Sequence, residues 1–136
     1  MGALIDSSVL IDAERGKLDL AELNTGHERE TLSISAITAS ELLHGVHRAI
    51  SPSQKAKRQA FVEALLARMP VLPFDLVTAR IHAELWAKLA KRGARIGEMD
   101  LIISATAMAW DLTVITSDER SFPRVPGLRV EVLKRF

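Results

Sequence analysis

Short apolar runs that end at a polar, helix-starting residue recur along this chain. Ala3-Leu-Ile5 leads into Asp6-Ser-Ser8, and Leu32-Ser-Ile34 leads into Ser35. Runs of this length suit buried strands, while Asp and Ser are favoured residues at the start of a helix. Alternating strand and helix signals predict an α/β fold with a mainly parallel sheet, in which ligands bind beyond the carboxyl ends of the strands.

Later segments continue the alternation. Ser51-Pro-Ser-Gln54 has the chemistry of a capping box and predicts a helix that runs to about Met69. A brief strand is expected at Val71-Leu72, and Asp75 can cap the helix that follows. One face of that helix is expected to pack into the core through Ala79, Ala83, Trp86 and Ala90.

The segment from Gly97 to Trp110 is apolar nearly all round and rich in Ala. These properties predict a central, closely packed helix, and we expect Trp110 at its end to pack in the core rather than to stack on a base. Leu112-Thr-Val-Ile115 has the β-branched, apolar profile of a buried parallel strand. A last alternating stretch, Leu128 to Val132, is expected to add a further strand.

Composition limits the classes of function. The chain has 136 residues, with 18 Lys plus Arg, 17 Asp plus Glu, a net charge of +1 and no Cys. This length predicts one domain over residues 1–136. The lack of Cys excludes disulfides, thiolate zinc sites and cysteine nucleophiles, and the small net charge restricts nucleic-acid binding to local basic patches. Without a signal peptide or a stretch of membrane-spanning length, we expect a cytoplasmic protein with no membrane segment.

Several carboxylates fall at positions where parallel sheets usually carry their active sites. Asp6 follows the first strand, Asp118 follows the strand that ends at Ile115, and Asp100 opens the central helix. Glu41 joins them from the helix after the second strand. Clustered carboxylates repel one another unless a cation holds them, and a hard divalent cation takes oxygen ligands. Magnesium, with manganese as a substitute, is the natural candidate.

Each carboxylate taken singly also has a simpler interpretation. Acidic residues at helix starts are commonly caps or partners of the helix dipole, and this applies to Asp6 and Asp100. The grouping of carboxylates at the strand ends favours a metal site instead. Glu98, two residues before Asp100, points elsewhere on a helix and is interpreted as a solvated charge of the first turn.

Each of these carboxylates lies in a longer block of sequence. The blocks are Leu4-Ile-Asp-Ser-Ser-Val-Leu-Ile11, Ser35-Ala-Ile-Thr-Ala-Ser-Glu-Leu-Leu-His-Gly45, Gly97-Glu-Met-Asp-Leu-Ile-Ile-Ser-Ala-Thr-Ala107 and Val114-Ile-Thr-Ser-Asp-Glu-Arg-Ser-Phe122. In this order they resemble the motif blocks of PIN-domain proteins, and VapC-type toxins most closely. The resemblance spans nearly the whole chain. It implies a PIN-like three-layer α/β/α sandwich and a magnesium-dependent endoribonuclease, the toxin of a type II toxin–antitoxin system.

The resemblance also implies roles for individual residues. By position, Asp6 and Asp100 are the principal metal ligands, and Glu41 and Asp118 complete the catalytic acidic pocket. Asp118 occupies the position that varies most within the family. Ser7 and Thr116 match hydroxyl positions that border the pocket, and we expect them to contact the substrate.

Basic residues near the acidic pocket are candidates for contacts with RNA phosphates. Lys88 to Arg95 is a basic stretch that leads toward Asp100. For Arg92 and Arg95, a solvated helix end and a substrate contact are equally good interpretations.

Partners follow from the resemblance as well. It implies a small VapB-type antitoxin whose tail wraps the protein and blocks the acidic pocket, and it implies a homodimer. The apolar faces around Val9-Leu10 and Leu42-Leu43-Val46 are predicted docking ground for the antitoxin, with core burial as the competing interpretation.

Hydrolysis of RNA by metal-activated water is the leading functional hypothesis. Two alternatives stay open. One is a catalytically inactive PIN-like binding module, although every acidic position is present. The other is a metal-dependent phosphatase that uses the same carboxylates on a small phosphate monoester.

Overall fold

A computed structural model describes residues 2–24 and 30–133 of the chain. Within them a five-stranded sheet has the order β3-β2-β1-β4-β5, and every neighbouring pair is parallel. The strands are β1 (Ala3–Ile5), β2 (Leu32–Ser35), β3 (Val71–Leu72), β4 (Thr113–Thr116) and β5 (Val130–Val132). The predicted α/β fold is confirmed, and the sheet is parallel throughout rather than mainly.

Helices connect the strands, as parallel pairing requires. They are α1 (Ser7–Glu14), α2 (Leu20–Asn24), α3 (Ala36–His47), α4 (Pro52–Arg68), α5 (Leu76–Lys91) and α6 (Glu98–Ala109). A short 3-10 helix, Phe122–Arg124, follows β4. None of the helices in the described ranges combines the length and the apolar character needed to cross a bilayer.

The sheet separates two apolar layers, because successive side chains of a strand point to opposite faces. Ala3 and Ile5 pack on one side with α1, α3 and α4, whereas Leu4 packs on the other side with α6. α5 covers the outer face of α6 through Leu85 and Leu89. The three-layer α/β/α arrangement is thus present, with β1 at its centre.

Predicted helix caps are confirmed at several starts. Ser35 Oγ accepts the Thr38 N–H at 3.1 Å, and Ser51 Oγ accepts the Gln54 N–H at 3.2 Å. The Gln54 side chain reaches back to the N–H of Ile50 at 2.9 Å, one residue earlier than an ideal capping box has it. Asp75 likewise caps α5, its Oδ1 accepting the Thr78 N–H at 3.0 Å.

The predicted core face of α5 is wrong. Trp86 is 63% exposed, and Ala83 and Ala90 also face solvent. Leu85 and Leu89 are buried against α6 instead. Both sets of residues have helical spacing, but the Leu side chains bury more apolar surface, and this determines which side of the helix turns inward.

Two further expectations about exposure are wrong. Trp110 is 49% exposed because it stands at the carboxyl-terminal end of α6, beyond the packed part of the helix. Val9, Leu10, Leu42 and Val46 are buried in one cluster, so they are core residues and not docking ground for a partner. Leu43 is only partly buried.

Candidate active site

Asp6 lies directly after β1, at the middle of the carboxyl edge of the sheet. Its backbone N–H donates to the Ile115 carbonyl at 2.9 Å, which continues the pairing of β1 with β4. Its side chain is only 4% exposed and makes no capping hydrogen bond to α1. The interpretation of Asp6 as a simple helix cap is therefore wrong.

Hydroxyl groups hold the Asp6 carboxylate in place. Ser8 Oγ donates to Asp6 Oδ2 at 2.7 Å, and Thr116 Oγ1 donates to the same oxygen at 2.9 Å. Thr116 is fully buried, and its oxygen accepts the Asp118 N–H at 2.9 Å. These bonds place Asp6 beside the segment that carries Asp118.

Glu41 reaches the same place from the second turn of α3. Burial raises its pKa, the negative charges of Asp6 and Asp100 raise it further, and the Ser7 side chain opposes the rise. Glu41 Oε1 is buried and accepts no hydrogen bond from the described residues. An ionised carboxylate in this condition costs free energy, so Glu41 is suited to receive a cation or a proton.

Asp100 enters the cluster from the first turn of α6. Burial, followed by the negative charge of Asp6, raises its pKa to about 6; the Asp118 charge adds to the rise, and the Ser121 side chain opposes it. The amino-terminal end of a helix ordinarily favours a carboxylate, so the repulsion and burial here exceed that effect.

Asp118 sits at the rim of the cluster in a tight turn. Its Oδ1 accepts the Arg120 N–H at 2.8 Å, and its charge acts on Asp100. The structure therefore brings together the four carboxylates that the sequence singled out: Asp6, Glu41, Asp100 and Asp118.

The cluster fits a divalent cation in a water-mediated mode. Its carboxylates repel one another, and Glu41 Oε1 lacks a partner within the described chain, as expected of ligands without their metal. Across residues 2–24 and 30–133, no three acidic or imidazole groups are arranged to hold an ion directly. Magnesium usually keeps several waters and takes one or two carboxylates directly. A cluster in which the remaining carboxylates act through water therefore suits it.

The predicted substrate-binding residues have different surroundings. Ser7 is buried and its side chain acts on Glu41, while Thr116 is fully buried and bonded to Asp6. Their burial favours roles inside the protein over contact with a substrate. Arg92 ends α5 and is exposed, and Arg95 lies in an exposed loop beside a groove that Trp86 and Glu98 also line. Substrate contact by these arginines stays a prediction.

Two residues of the site were missed in the sequence. The sequence places Ser8 in a helix start and a motif block, and Ser121 in a motif block, without indicating a role in the site for either. Ser8 holds Asp6, and Ser121 stabilises the charged form of Asp100. The available signal was their closeness in sequence to Asp6 and Asp118, but spacing alone does not show which way a hydroxyl points.

Open space adjoins the carboxylates on two sides. Beyond Asp118, a polar depression of about 800 Å³ is lined by Ser8, Ser117, Glu119 and Arg120. Beyond Glu41, a narrower cleft of about 150 Å³ runs between α1, α3 and α4 and carries Arg15, Arg48 and Arg58. Arg58 is already engaged there, donating to the Gly45 carbonyl at 3.0 Å and lying 3.6 Å from the Glu14 carboxylate.

Comparison with known proteins gives consistent matches over this whole region. The family model described as PIN domain matches residues 3–128. Ribonuclease VapC1 of Rickettsia felis is 33% identical over 130 residues, covering 96% of this chain and 95% of the relative. The tRNA(fMet)-specific endonuclease VapC of Salmonella typhimurium is 29% identical, covering 94% and 95%. The crystal structure of VapBC2 from Rickettsia felis bound to a promoter DNA fragment superposes with a TM-score of 0.89 at 26% identity, covering 98% and 99% of the two chains.

Proposed function

Because this chain belongs to the PIN-domain family, within which its relatives are VapC ribonucleases, we propose that it is a magnesium-dependent endoribonuclease and the toxin of a toxin–antitoxin pair. The observation that carries the proposal is the convergence of Asp6, Glu41, Asp100 and Asp118 at the carboxyl edge of the sheet. Metal-assisted hydrolysis of phosphodiester bonds uses such a concentration of metal-binding oxygens.

The chain's own carboxylates would have distinct tasks. Asp6 and Asp100 would hold the cation directly, while Glu41 and Asp118 would act through water at its margin. Magnesium, when bound, supplies activated water and neutralises charge that develops on the phosphate. The raised pKa values of Glu41 and Asp100 mean that these groups hold protons more readily than exposed carboxyls do. Protons therefore compete with the cation for these two carboxylates at acidic pH.

RNA is the proposed substrate because the named relatives are ribonucleases or act on a tRNA. An acidic floor repels phosphates, so cations at the rim must balance it. Arg120 lines the open depression beside Asp118, and the exposed Arg92 and Arg95 precede α6 in the chain. Phosphate contacts of this kind position the nucleic acid without selecting its sequence.

The proposed partner is a VapB-type antitoxin. Similar structures are of VapBC complexes, including that of Rickettsia felis. The cleft beside Glu41 offers apolar side chains, among them Phe61, together with the exposed Arg15 and Arg48. A homodimer is proposed as well, and the exposed Phe74, Leu76, Val77 and Trp86 around α5 provide an apolar surface of the kind that dimers cover.

Cleavage of structured RNA by the purified chain, with and without EDTA, tests the proposed activity. Asp6→Asn and Asp100→Asn are expected to lower cleavage by at least about 100-fold while the circular dichroism spectrum is unchanged. Glu98→Gln is the matched control, because it removes an exposed charge from the same helical turn as Asp100. Cleavage that persists in excess EDTA would refute the metal dependence.

End-group analysis separates the mechanisms. Water as nucleophile leaves 5′-phosphate and 3′-hydroxyl ends, whereas attack by the RNA 2′-hydroxyl leaves cyclic phosphates. Hydrolysis of nitrophenyl phosphate without RNA cleavage would indicate a phosphatase. RNA binding with no hydrolysis of either substrate would indicate an inactive binding module.

A further inference from the structure

We propose that Ser8 is a positioning residue for the Asp6 carboxylate, and that it also ties Asp6 to the segment that carries Asp118. This inference rests on the proposed function, since it concerns how the site is prepared for a divalent cation. Ser8 lies in the first turn of α1, two residues after Asp6, and is partly buried.

The direction of each hydrogen bond follows from counting protons. A serine or threonine hydroxyl has one proton to donate. Ser8 donates to Asp6 Oδ2 at 2.7 Å, and Thr116 donates to the same atom at 2.9 Å. The two hydroxyl oxygens lie 3.3 Å apart, but both protons are directed at the carboxylate. Each hydroxyl oxygen is left to act as an acceptor.

Consecutive backbone N–H groups satisfy those acceptors. Ser8 Oγ accepts the Ser117 N–H at 3.0 Å, and Thr116 Oγ1 accepts the Asp118 N–H at 2.9 Å. Two parallel chains of hydrogen bonds therefore run from the segment after β4 to one oxygen of Asp6. Each bond in such a chain polarises the next and strengthens the donation to the carboxylate.

The consequence is that the orientation of the Asp6 carboxylate is fixed. Oδ2 receives two donors, while no hydrogen bond from the described residues reaches Oδ1. Oδ1 is thus the oxygen presented to a cation, and its orientation is set before the cation arrives. Groups that orient a metal ligand in this way typically change metal affinity by roughly 10- to 100-fold when removed.

Ser8, like Thr116, also connects Asp6 with the segment after β4. It belongs to α1, whereas both backbone donors belong to the segment after β4, so its hydroxyl bridges two elements 109 residues apart in sequence. Loss of this bridge removes the Ser117 contact together with one donor to Asp6. We therefore expect Ser8 to affect both the metal affinity and the placement of Asp118.

Titration of Mn²⁺ into the metal-free full chain, followed by calorimetry, tests the proposal without any need for RNA cleavage. Ser8→Ala is expected to weaken Mn²⁺ binding by roughly 10- to 100-fold. The Mg²⁺ concentration for half-maximal cleavage should rise in parallel. Ser8→Thr, which keeps the hydroxyl, should restore most of the affinity.

Thr106→Val is the matched control. Thr106 is 1% exposed, and its hydroxyl donates only to the Ile102 carbonyl of its own helix at 2.8 Å. This variant loses a buried hydroxyl without touching the carboxylates, so its Mn²⁺ affinity should equal that of the wild type. If Ser8→Ala does not fold, Ser8→Cys, a weaker donor of similar size, takes its place. It must also weaken Mn²⁺ binding, by less than the roughly 10- to 100-fold expected for Ser8→Ala.

Unchanged Mn²⁺ affinity in a folded Ser8→Ala variant would overturn the proposal. An equal loss in Ser8→Thr would do so too, because it would indicate packing rather than donation. Failure of the wild-type chain to bind Mn²⁺ would instead refute the proposed cofactor, which separates the two failures.

Discussion

Replacement of Asp100 by Asn is expected to stabilise the metal-free protein at neutral pH. The pKa of Asp100 rises from 3.8 to about 6 on folding, first because of burial and then because of the Asp6 charge. The folded protein therefore holds this proton more tightly than the unfolded chain does, and ionisation destabilises the fold. Asn keeps the shape of the side chain and removes the charge.

The magnitude follows from the difference in pKa. A rise of about two corresponds to roughly 3 kcal/mol, at about 1.36 kcal/mol for each unit of pKa. Asp100 is half-buried, so water and salt screen part of this effect, and we expect about 1 to 2 kcal/mol. Between about pH 4 and pH 6 the folded protein binds more protons than the unfolded chain. The contribution of Asp100 to the free energy of unfolding therefore falls as the pH rises through that window, and it stays lower above it.

Urea unfolding in EDTA, at several pH values from about 4 to 8, measures the effect. The free energy of unfolding of Asp100→Asn should exceed that of the wild type by an amount that grows from near zero at pH 4 to the full difference above pH 6. Glu98→Gln, with its exposed side chain, should follow the wild type. A variant equal to or less stable than the wild type at pH 7.5 would refute the reasoning.

Three further outcomes are expected. Mg²⁺ at about 100 times its Kd should raise the free energy of unfolding of the wild type by about 2.7 kcal/mol and that of Asp6→Asn much less, as thermal scans will show. Ser51→Ala, which removes the cap of α4, should cost about 1 kcal/mol in urea unfolding, whereas the exposed Ser53→Ala should change little. Leu89→Ala should cost about 2 to 5 kcal/mol because Leu89 is buried, while Trp86→Ala, 63% exposed, should cost less than about 1 kcal/mol; the reverse order would contradict the assignment of the core face of α5.

Features that depend on local chemistry were predictable from the sequence. Ser35, Ser51 and Asp75 cap helices because each side-chain oxygen and the backbone N–H that donates to it lie within one turn. The position of Asp6 after β1 was predictable for a similar reason, since parallel strands bring their carboxyl ends to one edge.

Features that depend on which side of an element faces the core were harder to predict. α5 has two apolar stripes of helical spacing, and only contact with α6 selects Leu85 and Leu89 over Trp86. The same limit applies to Ser8, because a hydroxyl in the first turn of a helix can bond to its own backbone, to solvent or to a neighbouring strand. Here the neighbouring β4 segment decides the outcome.

The sheet order has a consequence for when the site can exist during synthesis. Asp6 leaves the ribosome 110 residues ahead of Thr116, which supplies one of the two hydroxyls that hold its carboxylate. A nascent or truncated chain that ends before β4 lacks one of the two strands that pair with β1, the Thr116 donor to Asp6, and the backbone N–H groups that the Ser8 and Thr116 hydroxyls accept. Under the proposed function, nuclease activity would arise only after β4 had been made, so translation products that end before it would be harmless to their own messenger.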